Sequence, residues 1–362
     1  MSLKKIEKKV LSGKRLTPED AIGLFHSDDI FSLGMLASHV SQRKNGNNVF
    51  FIQNHHINPS NICVNRCTFC AFSRSKGEKD AYALSIKEII RKLRRQKVVG
   101  SRQKFSEIHI VGGLHPDRPF QFYLDLLKGI KQSLPSIHIK AFTAVEIDYF
   151  SRISGLSITE TLRALKETGL DSIPGGGAEI FNRHIRNKLC PEKINGKRWL
   201  DIIEKAHKLD IRSNATMLYG HFETYKHRVE HMVKLRDLQD KTGGFQAFIP
   251  LSFHPLNTRI NGVGYTSGID DIKTIAISRL FLDNFPHIKA YWIMLGEKIA
   301  QLALFFGADD LDGTIIEERI THSAGALSGS SLTRSELITL IQAAGKNPVE
   351  RDSFYRPITS HL

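Results

Sequence analysis

The chain has 362 residues, of which 41% are hydrophobic and 24% charged, the proportions of an ordinary globular protein with a buried core. Its four cysteines are too few for a secreted disulfide framework, and no stretch approaches the roughly 20 apolar residues of a membrane span. No apolar signal-peptide segment follows the cationic start, so we expect a cytoplasmic protein with no membrane partner.

The formal net charge of +14 would suit nucleic-acid binding, because clustered lysines and arginines neutralise phosphates. The basic residues are instead scattered, and the densest run, 87–102, places them on the outer face of an amphipathic helix. We therefore predict no nucleic-acid partner. The charge could instead attract an anionic substrate.

In chain order, residues 1–45 are predicted to form a helical extension, in which Pro18 takes the first position of a helix. From residue 46 onward, β-like segments alternate with amphipathic helical ones, the pattern of a parallel sheet covered by helices. The strand candidates are 49–57, 107–111, 138–143, 172–174, 213–218, 245–250, 289–292 and 310–313. Eight such strands predict an α/β fold, a (β/α)8 TIM-type barrel over residues 46–362.

The loop after the first strand contains Cys63, Cys67 and Cys70 in a C-x3-C-x2-C arrangement. Three thiolates can hold three corners of a four-iron cluster and leave one iron free to coordinate and reduce a substrate. This arrangement favours an enzyme over an electron carrier.

Two other interpretations of these cysteines stay open. A structural zinc ion could use His55 or His56 as its fourth ligand. An electron-transfer cluster could use Cys190, although the second C-x2-C pair that such clusters usually have is missing from the sequence. We interpret Cys190 as a small buried hydrophobic residue.

Chemistry in such barrels gathers where the strands end, and polar residues follow several of the predicted strands. Gly112 and Gly113 follow the second strand and would let the backbone approach a ligand. Glu146 and Glu179 follow the third and fourth strands. Glu179 could accept hydrogen bonds from ribose hydroxyls or an ammonium group, and a helix cap is the alternative interpretation.

Histidines also lie near the predicted strand ends, and imidazoles can bind carboxylates or transfer protons. A single histidine is more often a structural group. The candidate histidines are His115 after the second strand, His221 after the fifth and His254 after the sixth. Asn214 and Thr216 in the fifth strand are further candidates.

The cysteine motif, with Phe69 before its last cysteine, resembles that of the radical S-adenosylmethionine (SAM) superfamily. Longer strings, above all S-N-A-T-M-L-Y-G-H and H-I-K-A-Y-W, are similar to the aminodeoxyfutalosine synthase family from about residue 50 to the C-terminal V-E-R-D-S-F-Y. Two related families share the cysteine motif and P-G-G-G-A-E-I and are the alternatives: cyclic dehypoxanthinyl futalosine synthase and the deazaflavin-precursor (FO) synthase subunit.

The resemblance implies a [4Fe-4S] cluster held by the three clustered cysteines and SAM as a cosubstrate bound through the free iron. It implies SAM contacts for Phe69, Gly112, Gly113, Thr143, Glu146, Glu179, Asn214 and Thr216.

The implied reaction adds the 5′-deoxyadenosyl radical to 3-[(1-carboxyvinyl)oxy]benzoate, with aryl migration and loss of a carboxylate, giving 6-amino-6-deoxyfutalosine in menaquinone biosynthesis. Catalytic roles are expected for Glu179, His254 and Arg279, and the two substrate carboxylates are expected to face groups among Arg74, Arg279, Arg319 and His254. A flavodoxin- or ferredoxin-type electron donor is implied, and a homodimer is compatible with the sequence.

Overall fold

A computed structural model of the chain describes residues 3–98 and 105–358, without the side chains of residues 96–98. The end of the basic run at 87–102 therefore lies outside the described residues. The strands are β1 Asn48–Ile52, β2 Asn54–Ile57, β3 Glu107–Ile110, β4 His138–Ala141, β5 Ser172–Ile173, β6 Arg212–Tyr219, β7 Phe245–Ser252, β8 His287–Ile288, β9 Asp310–Gly313 and β10 Asn347–Glu350.

Helices precede the first strand and connect the later ones. They are α1 Leu3–Leu11, α2 Pro18–Phe25, α3 Ile30–Asn45, α4 Ile86–Val98, α5 Phe120–Ser133, α6 Ala144–Ser154, α7 Ile158–Thr168, α8 Arg183–Leu189, α9 Gly196–Lys208, α10 Tyr225–Thr242, α11 Gly268–Phe281, α12 Trp292–Leu295, α13 Glu297–Ala303, α14 Ile320–Ser323 and α15 Arg334–Ala343.

The strands form two parallel sheets that together close a barrel. Seven strands follow one another in the order β2-β3-β4-β5-β6-β7-β8, and β1 lies between β10 and β9. The sheets join where β1 continues through Gln53 into β2, and where Lys289 after β8 bridges to Asp310 of β9. The predicted α/β barrel is confirmed.

Residues 3–45 form three helices, and α2 starts as expected, with Pro18 inside a capping box formed by Thr17 and Asp20. Helices α2 and α3 pack against α10 and α11 on the outside of the barrel. The division of the chain at residue 45 stays a prediction.

The strand predictions differ from the structure in three places. The segment predicted as one strand at 49–57 is two strands, β1 and β2, which belong to different sheets. The segment predicted as a strand at 289–292 is mostly not one, because β8 ends at Ile288 and Trp292 begins the short helix α12. A short apolar run does not distinguish a strand from a buried helical turn. Strand β10 was not predicted, since its sequence N-P-V-E has a proline, which sheets accept at their edges.

The C-terminal segment after β10 closes the end of the barrel opposite the cysteine loop. Arg351 is completely buried and donates to Asp310 of β9 at 2.8 Å. The ring of Tyr355 stacks on His287 with centroids 3.7 Å apart. Within residues 3–98 and 105–358, no helix combines the length and apolar character needed to cross a bilayer.

Candidate functional site

A cavity of about 320 Å³ opens at the carboxyl end of the barrel strands, a size in the range of small-molecule sites. The loops after several strands and the inward faces of β2, β3, β6, β7 and β9 contribute to its wall. Of the predicted site residues, those that line it are Cys63, Cys67, Phe69, Cys70, Gly112, Gly113, Thr143, Glu146, Glu179, Thr216 and His254.

The cysteine loop is held in place by backbone hydrogen bonds. Cys63 donates to the carbonyl of Arg74 at 3.0 Å, and Thr68 donates to that of Leu189 at 2.7 Å. Burial raises the pKa of Cys63 and raises that of Cys67 to about 12. The thiols of Cys63 and Cys67 are therefore protonated before iron binds, and binding of iron would displace their protons.

The glycine pair after β3 allows the cysteine loop to pack closely against the strand end. A Cβ on Gly113 would lie 2.2 Å from the carbonyl oxygen of Ile62, a distance no side chain can occupy. The amide of Gly113 donates to Ser60, and the amide of Gly112 donates to Glu146 at 3.1 Å. Both amides thus bond within the protein. An ammonium group has only donors, so carbonyl oxygens are the backbone groups that could receive it here.

Glu146 closes a capping box at the start of α6. Its carboxylate accepts the amide of Thr143 at 2.7 Å and the hydroxyl at 2.8 Å, as well as the amide of Gly112. Burial raises the pKa of Glu146 to about 7, although these hydrogen bonds oppose the shift. One carboxylate thus connects the ends of two neighbouring strands at the cavity wall.

Glu179 lies in a loop with φ of +49°, and α8 begins only at Arg183, so the helix-cap interpretation of Glu179 is wrong. Lys193 donates to its carboxylate at 2.6 Å. Burial opposes ionisation of Glu179, but Lys193 outweighs that effect and lowers the pKa of Glu179. Both groups are therefore charged at the cavity wall.

Lys193 also faces the cysteine loop, with its ammonium 4.9 Å from the ring centroid of Phe69. Burial disfavours its charge, yet Cys67 and Glu179 outweigh burial and raise the pKa of Lys193. A fixed positive charge thus lies beside the thiols. Nothing in the sequence distinguished this lysine, which follows Cys190 by three positions in a segment that packs on the cysteine loop.

Arg279 does not belong to this site, contrary to the prediction. Its side chain is fully buried at the opposite end of the barrel, where it pairs with Asp309 at 2.5 Å and donates to the carbonyls of Gly307 and Pro286. Arg279 lies in the last turn of α11. Its burial is explained by the ion pair with Asp309 and does not require a ligand.

The other arginine candidates also lie away from the cavity wall. Arg74 donates to the carbonyls of Ala71 and Ser73, and the guanidinium of Arg319 lies 5.4 Å from the ring centroid of Tyr82. Asn214 is buried below the residues of β6 that line the cavity, so its predicted SAM contact lacks support from its position.

The histidines after the strand ends mostly serve local structure. His221 contacts the carbonyl of Leu218, and His115 accepts from the amide of Asp117. His254 lines the cavity, and its Nε2 lies 2.9 Å from the carbonyl of Met294.

Comparison with known proteins identifies the group to which the chain belongs. Residues 57–235 match the family model of the radical SAM superfamily, and residues 242–361 match that of the CofH/MqnC C-terminal region. A Thermus thermophilus protein named aminodeoxyfutalosine synthase is 46% identical, covering 98% of this chain and 95% of that protein. The chain belongs to the radical SAM superfamily.

Other radical SAM proteins extend this comparison. An aminodeoxyfutalosine synthase of Streptomyces coelicolor is 43% identical over 97% of this chain and 93% of that protein. A 5-amino-6-(D-ribitylamino)uracil–L-tyrosine 4-hydroxyphenyl transferase of Methanococcoides burtonii is 42% identical over 94% of this chain and 96% of that protein. The crystal structure of methylornithine synthase (PylB) has a TM-score of 0.74 at 19% identity, covering 95% of this chain and 97% of that one, which supports the fold alone.

As a radical SAM enzyme, the protein uses a [4Fe-4S] cluster and SAM with a small-molecule substrate. The described residues fit this cofactor. Three free thiols from one loop face a single cavity, Lys193 supplies a compensating positive charge, and Cys190 is buried outside the cavity wall. The His55 ring lies 5.6 Å from that of Phe105 and does not line the cavity, which removes one candidate ligand of the zinc interpretation.

The deeper part of the cavity is lined by residues that the sequence did not indicate as site residues. They are His109, Tyr291, Asp312 and Glu318, together with His56, which was considered only as a zinc ligand. The available signal was the alternation of Glu107 and His109 with isoleucines in β3. In a strand with one solvated face, such alternation places the polar side chains in water. In a strand that is buried on both faces, the polar side chains lie inside the protein instead.

Proposed function

We propose that the protein is an aminodeoxyfutalosine synthase that joins the adenosyl part of SAM to 3-[(1-carboxyvinyl)oxy]benzoate, with aryl migration and loss of a carboxylate. The observation that carries this proposal is the 46% identity over nearly the full length to an enzyme of that name. The three-cysteine loop facing one mostly apolar cavity within the barrel supports it, because a primary carbon radical needs a site that excludes water.

The proposal divides the cavity into two parts. Cys63, Cys67 and Cys70 would hold the cluster, which when bound supplies the electron that cleaves SAM. Lys193 would balance the negative charge of the thiolates, and Glu179, fixed by Lys193, would accept hydrogen bonds from SAM.

Residues around the strand ends would position SAM relative to the substrate. The carbonyls of Gly112 and Gly113 would receive the methionine amino group, and Glu146 would keep that strand end in place. Phe69, Thr143 and Thr216 line the same part of the wall and would exclude water from it.

Three further assignments remain part of the proposal. A flavodoxin- or ferredoxin-type protein would deliver the electron, the protein would act in the cytoplasm, and a homodimer stays a prediction. Each follows from the resemblance and the composition.

The test is an anaerobic incubation of cluster-reconstituted protein with SAM, reductant and the enolpyruvyl benzoate, followed by mass spectrometry. We expect an adduct of the adenosyl group and the substrate that has lost carbon dioxide. A parallel incubation offers L-tyrosine and 5-amino-6-(D-ribitylamino)uracil, the reactants named for the Methanococcoides relative. Turnover in that second incubation alone, or release of 5′-deoxyadenosine with the benzoate unchanged, would contradict the proposal.

A further inference from the structure

Two imidazoles lie side by side in the deep part of the cavity. His56 of β2 and His109 of β3 are opposite each other in the parallel register, and their ring centroids are 4.5 Å apart. We call these two residues the histidine pair. Both line the cavity, and His56 is only 7% exposed.

The histidine pair lacks the hydrogen bonds that hold the structural histidines of this barrel. His207 contacts two hydroxyl groups, and His231 contacts a backbone amide and a carbonyl. In the part of the chain that the structure describes, the His56 Nε2 is buried without any hydrogen-bond partner. Buried polar groups are normally satisfied, so His56 lacks a partner that a ligand could supply. The half-buried His109 ring contacts that of His56 and lines the cavity.

The acidic residues near the pair are already bound to other groups. Asp312 pairs with Lys289 at 2.9 Å. Glu318 accepts the amide of Thr321 at 2.8 Å and lies 2.8 Å from Nδ1 of His322. Lys289 and His322 lower the pKa of Asp312 and of Glu318, respectively, against the effect of burial. The acids are therefore ionised and positioned without occupying the imidazoles.

Both members of the pair are neutral before a carboxylate binds. Burial lowers the pKa of His56, with Asp312, Glu318 and Glu107 opposing the shift, and burial lowers the pKa of His109 well below its usual range. An incoming carboxylate would act in the same direction as the acids and favour an imidazolium. The charged groups that act on the pair from the surrounding elements are Glu107, Lys140, Lys289, Asp312 and Glu318.

The cavity also offers apolar side chains against which an aromatic ring could pack. They are Leu218, Ile249, Leu251, Phe253, Met294 and Ile320. His109 precedes Gly112 by three residues along a chain that runs towards the cavity mouth. In extended backbone this places the pair roughly 10 Å deeper than the strand end where SAM is proposed to bind.

We propose that the histidine pair binds the carboxylate of the benzoate ring, and that the pair takes up one proton when the substrate binds. This assignment rests on the proposed function, because the vinyl group must face SAM and the benzoate end must then point away from it. The ring would lie against the apolar wall, and the resulting imidazolium would be flanked by the substrate carboxylate and by Asp312 and Glu318.

The test compares two ligands on cluster-loaded enzyme with SAM and without reductant, so that binding is measured and no turnover occurs. The ligands are the enolpyruvyl benzoate and its methyl ester at the benzoate carboxylate. Titration calorimetry in two buffers of different ionisation enthalpy reports both affinity and protons taken up. The variants are His56→Gln and His109→Gln, with the exposed His184→Gln as control, and retained SAM binding shows that each variant is folded.

For wild type and His184→Gln, we expect the acid to bind at least about 30-fold more tightly than the ester. We expect binding of the acid to be accompanied by uptake of about one proton, and binding of the ester by none. In His56→Gln and His109→Gln, we expect the acid to bind as weakly as the ester and the uptake to disappear. An unchanged preference for the acid in both variants, or equal proton uptake by acid and ester in wild type, would overturn this assignment while leaving the proposed function intact. A wild-type enzyme that binds SAM but neither ligand would overturn both.

Discussion

The carboxylate of Glu146 closes the capping box of α6 and also accepts the amide of Gly112, at the strand end proposed to receive SAM. An exposed capping box with the same arrangement lies at the start of α7, where Glu160 pairs with Ser157. The two boxes differ in burial. Comparing them isolates what burial does to a carboxylate whose hydrogen bonds are otherwise similar.

Replacing Glu146 with glutamine should change how stability depends on pH. The folded protein raises the pKa of Glu146 from 4.5 to about 7, so it holds this proton more tightly than the unfolded chain does. The group therefore lowers the free energy of unfolding as pH rises from about 4.5 to about 7, by up to about 3 kcal/mol. Glutamine keeps the cap but cannot ionise.

Urea unfolding of the cluster-free protein at pH 5 and pH 8 measures this effect. We expect Glu146→Gln to gain stability relative to wild type as the pH is raised. Glu160→Gln is the control, since hydrogen bonds from Ser157 lower the pKa of that exposed group and the trend should be weak and of opposite sign. The same trend in both variants would refute the role of burial.

The three clustered cysteines and Cys190 should respond differently to substitution by alanine. Loss of Cys63, Cys67 or Cys70 removes one of the three thiolates available to the cluster, so we expect iron content and visible absorbance to fall to background after reconstitution. Cys190 is buried outside the cavity wall, and Cys190→Ala should keep both. A Cys190→Ala protein without a cluster would instead make Cys190 a fourth ligand.

At the residue scale, the sequence predicted the groups whose type alone implies chemistry. The cysteines, Glu179 and His254 were predicted in this way, and they line the cavity. The histidine pair was not predicted as a substrate site, because it lies within strands and the prediction concentrated on residues that follow them. His56 was considered only as a possible zinc ligand. Arg279 was assigned wrongly because the sequence does not reveal which arginine will meet a buried aspartate.

The last strand, β10, carries Arg351 directly after it into the closed end of the barrel. Its guanidinium donates to Asp310, and the pair is completely buried. A second ion pair nearby offers a contrast, because Arg356 contacts Asp352 with its own side chain 76% exposed. The chain end thus contains a buried and an exposed arginine within six residues.

Replacing Arg351 with methionine should destabilise the fold by roughly 3–5 kcal/mol, because the change leaves the buried carboxylate of Asp310 without its main partner. Arg356→Met should change stability by no more than about 1 kcal/mol. Thermal and urea unfolding of both variants would measure the difference. Equal effects would mean that the C-terminal segment does not stabilise the barrel through this pair.

At the scale of elements, the sequence predicted those whose pattern is regular. The patterns Ser-x-x-Glu at Ser157 and Thr-x-x-Glu at Thr333 are typical of capping boxes, and such boxes start α7 and α15. Strand β10 and helix α12 were not predicted, because a four-residue edge strand with proline and a single buried turn have no periodicity to detect. Their conformations depend on partners that are distant in sequence.

The molecule as a whole could be predicted as a barrel because eight strands alternate with helices, and a parallel sheet of that size closes on itself. The strand pairs that close the barrel could not be predicted from the sequence. Strand β1 pairs with β9 and β10, whose residues lie more than 250 positions later. Such pairings follow from the packing of the whole chain.

The net charge of +14 acts at this same scale, because a net positive charge creates a potential that reaches beyond individual contacts. Val64, beside Cys63, is 44% exposed, so the loop that would hold the cluster reaches the surface where a donor could approach. If the electron donor is an acidic flavodoxin, long-range attraction should accelerate its association. Salt screens such attraction, with a Debye length of about 10 Å at 0.1 M.

We therefore expect the rate of cluster reduction by reduced flavodoxin to fall at least tenfold between about 20 mM and about 500 mM salt. Stopped-flow absorbance under anaerobic conditions would measure it at donor concentrations where association limits the rate. The methyl viologen radical cation serves as control, since a positively charged donor is repelled and its rate should rise or stay constant with salt. A flavodoxin rate that is independent of salt would mean that local contacts, and not the charge of the whole protein, bring the donor to the cysteine loop.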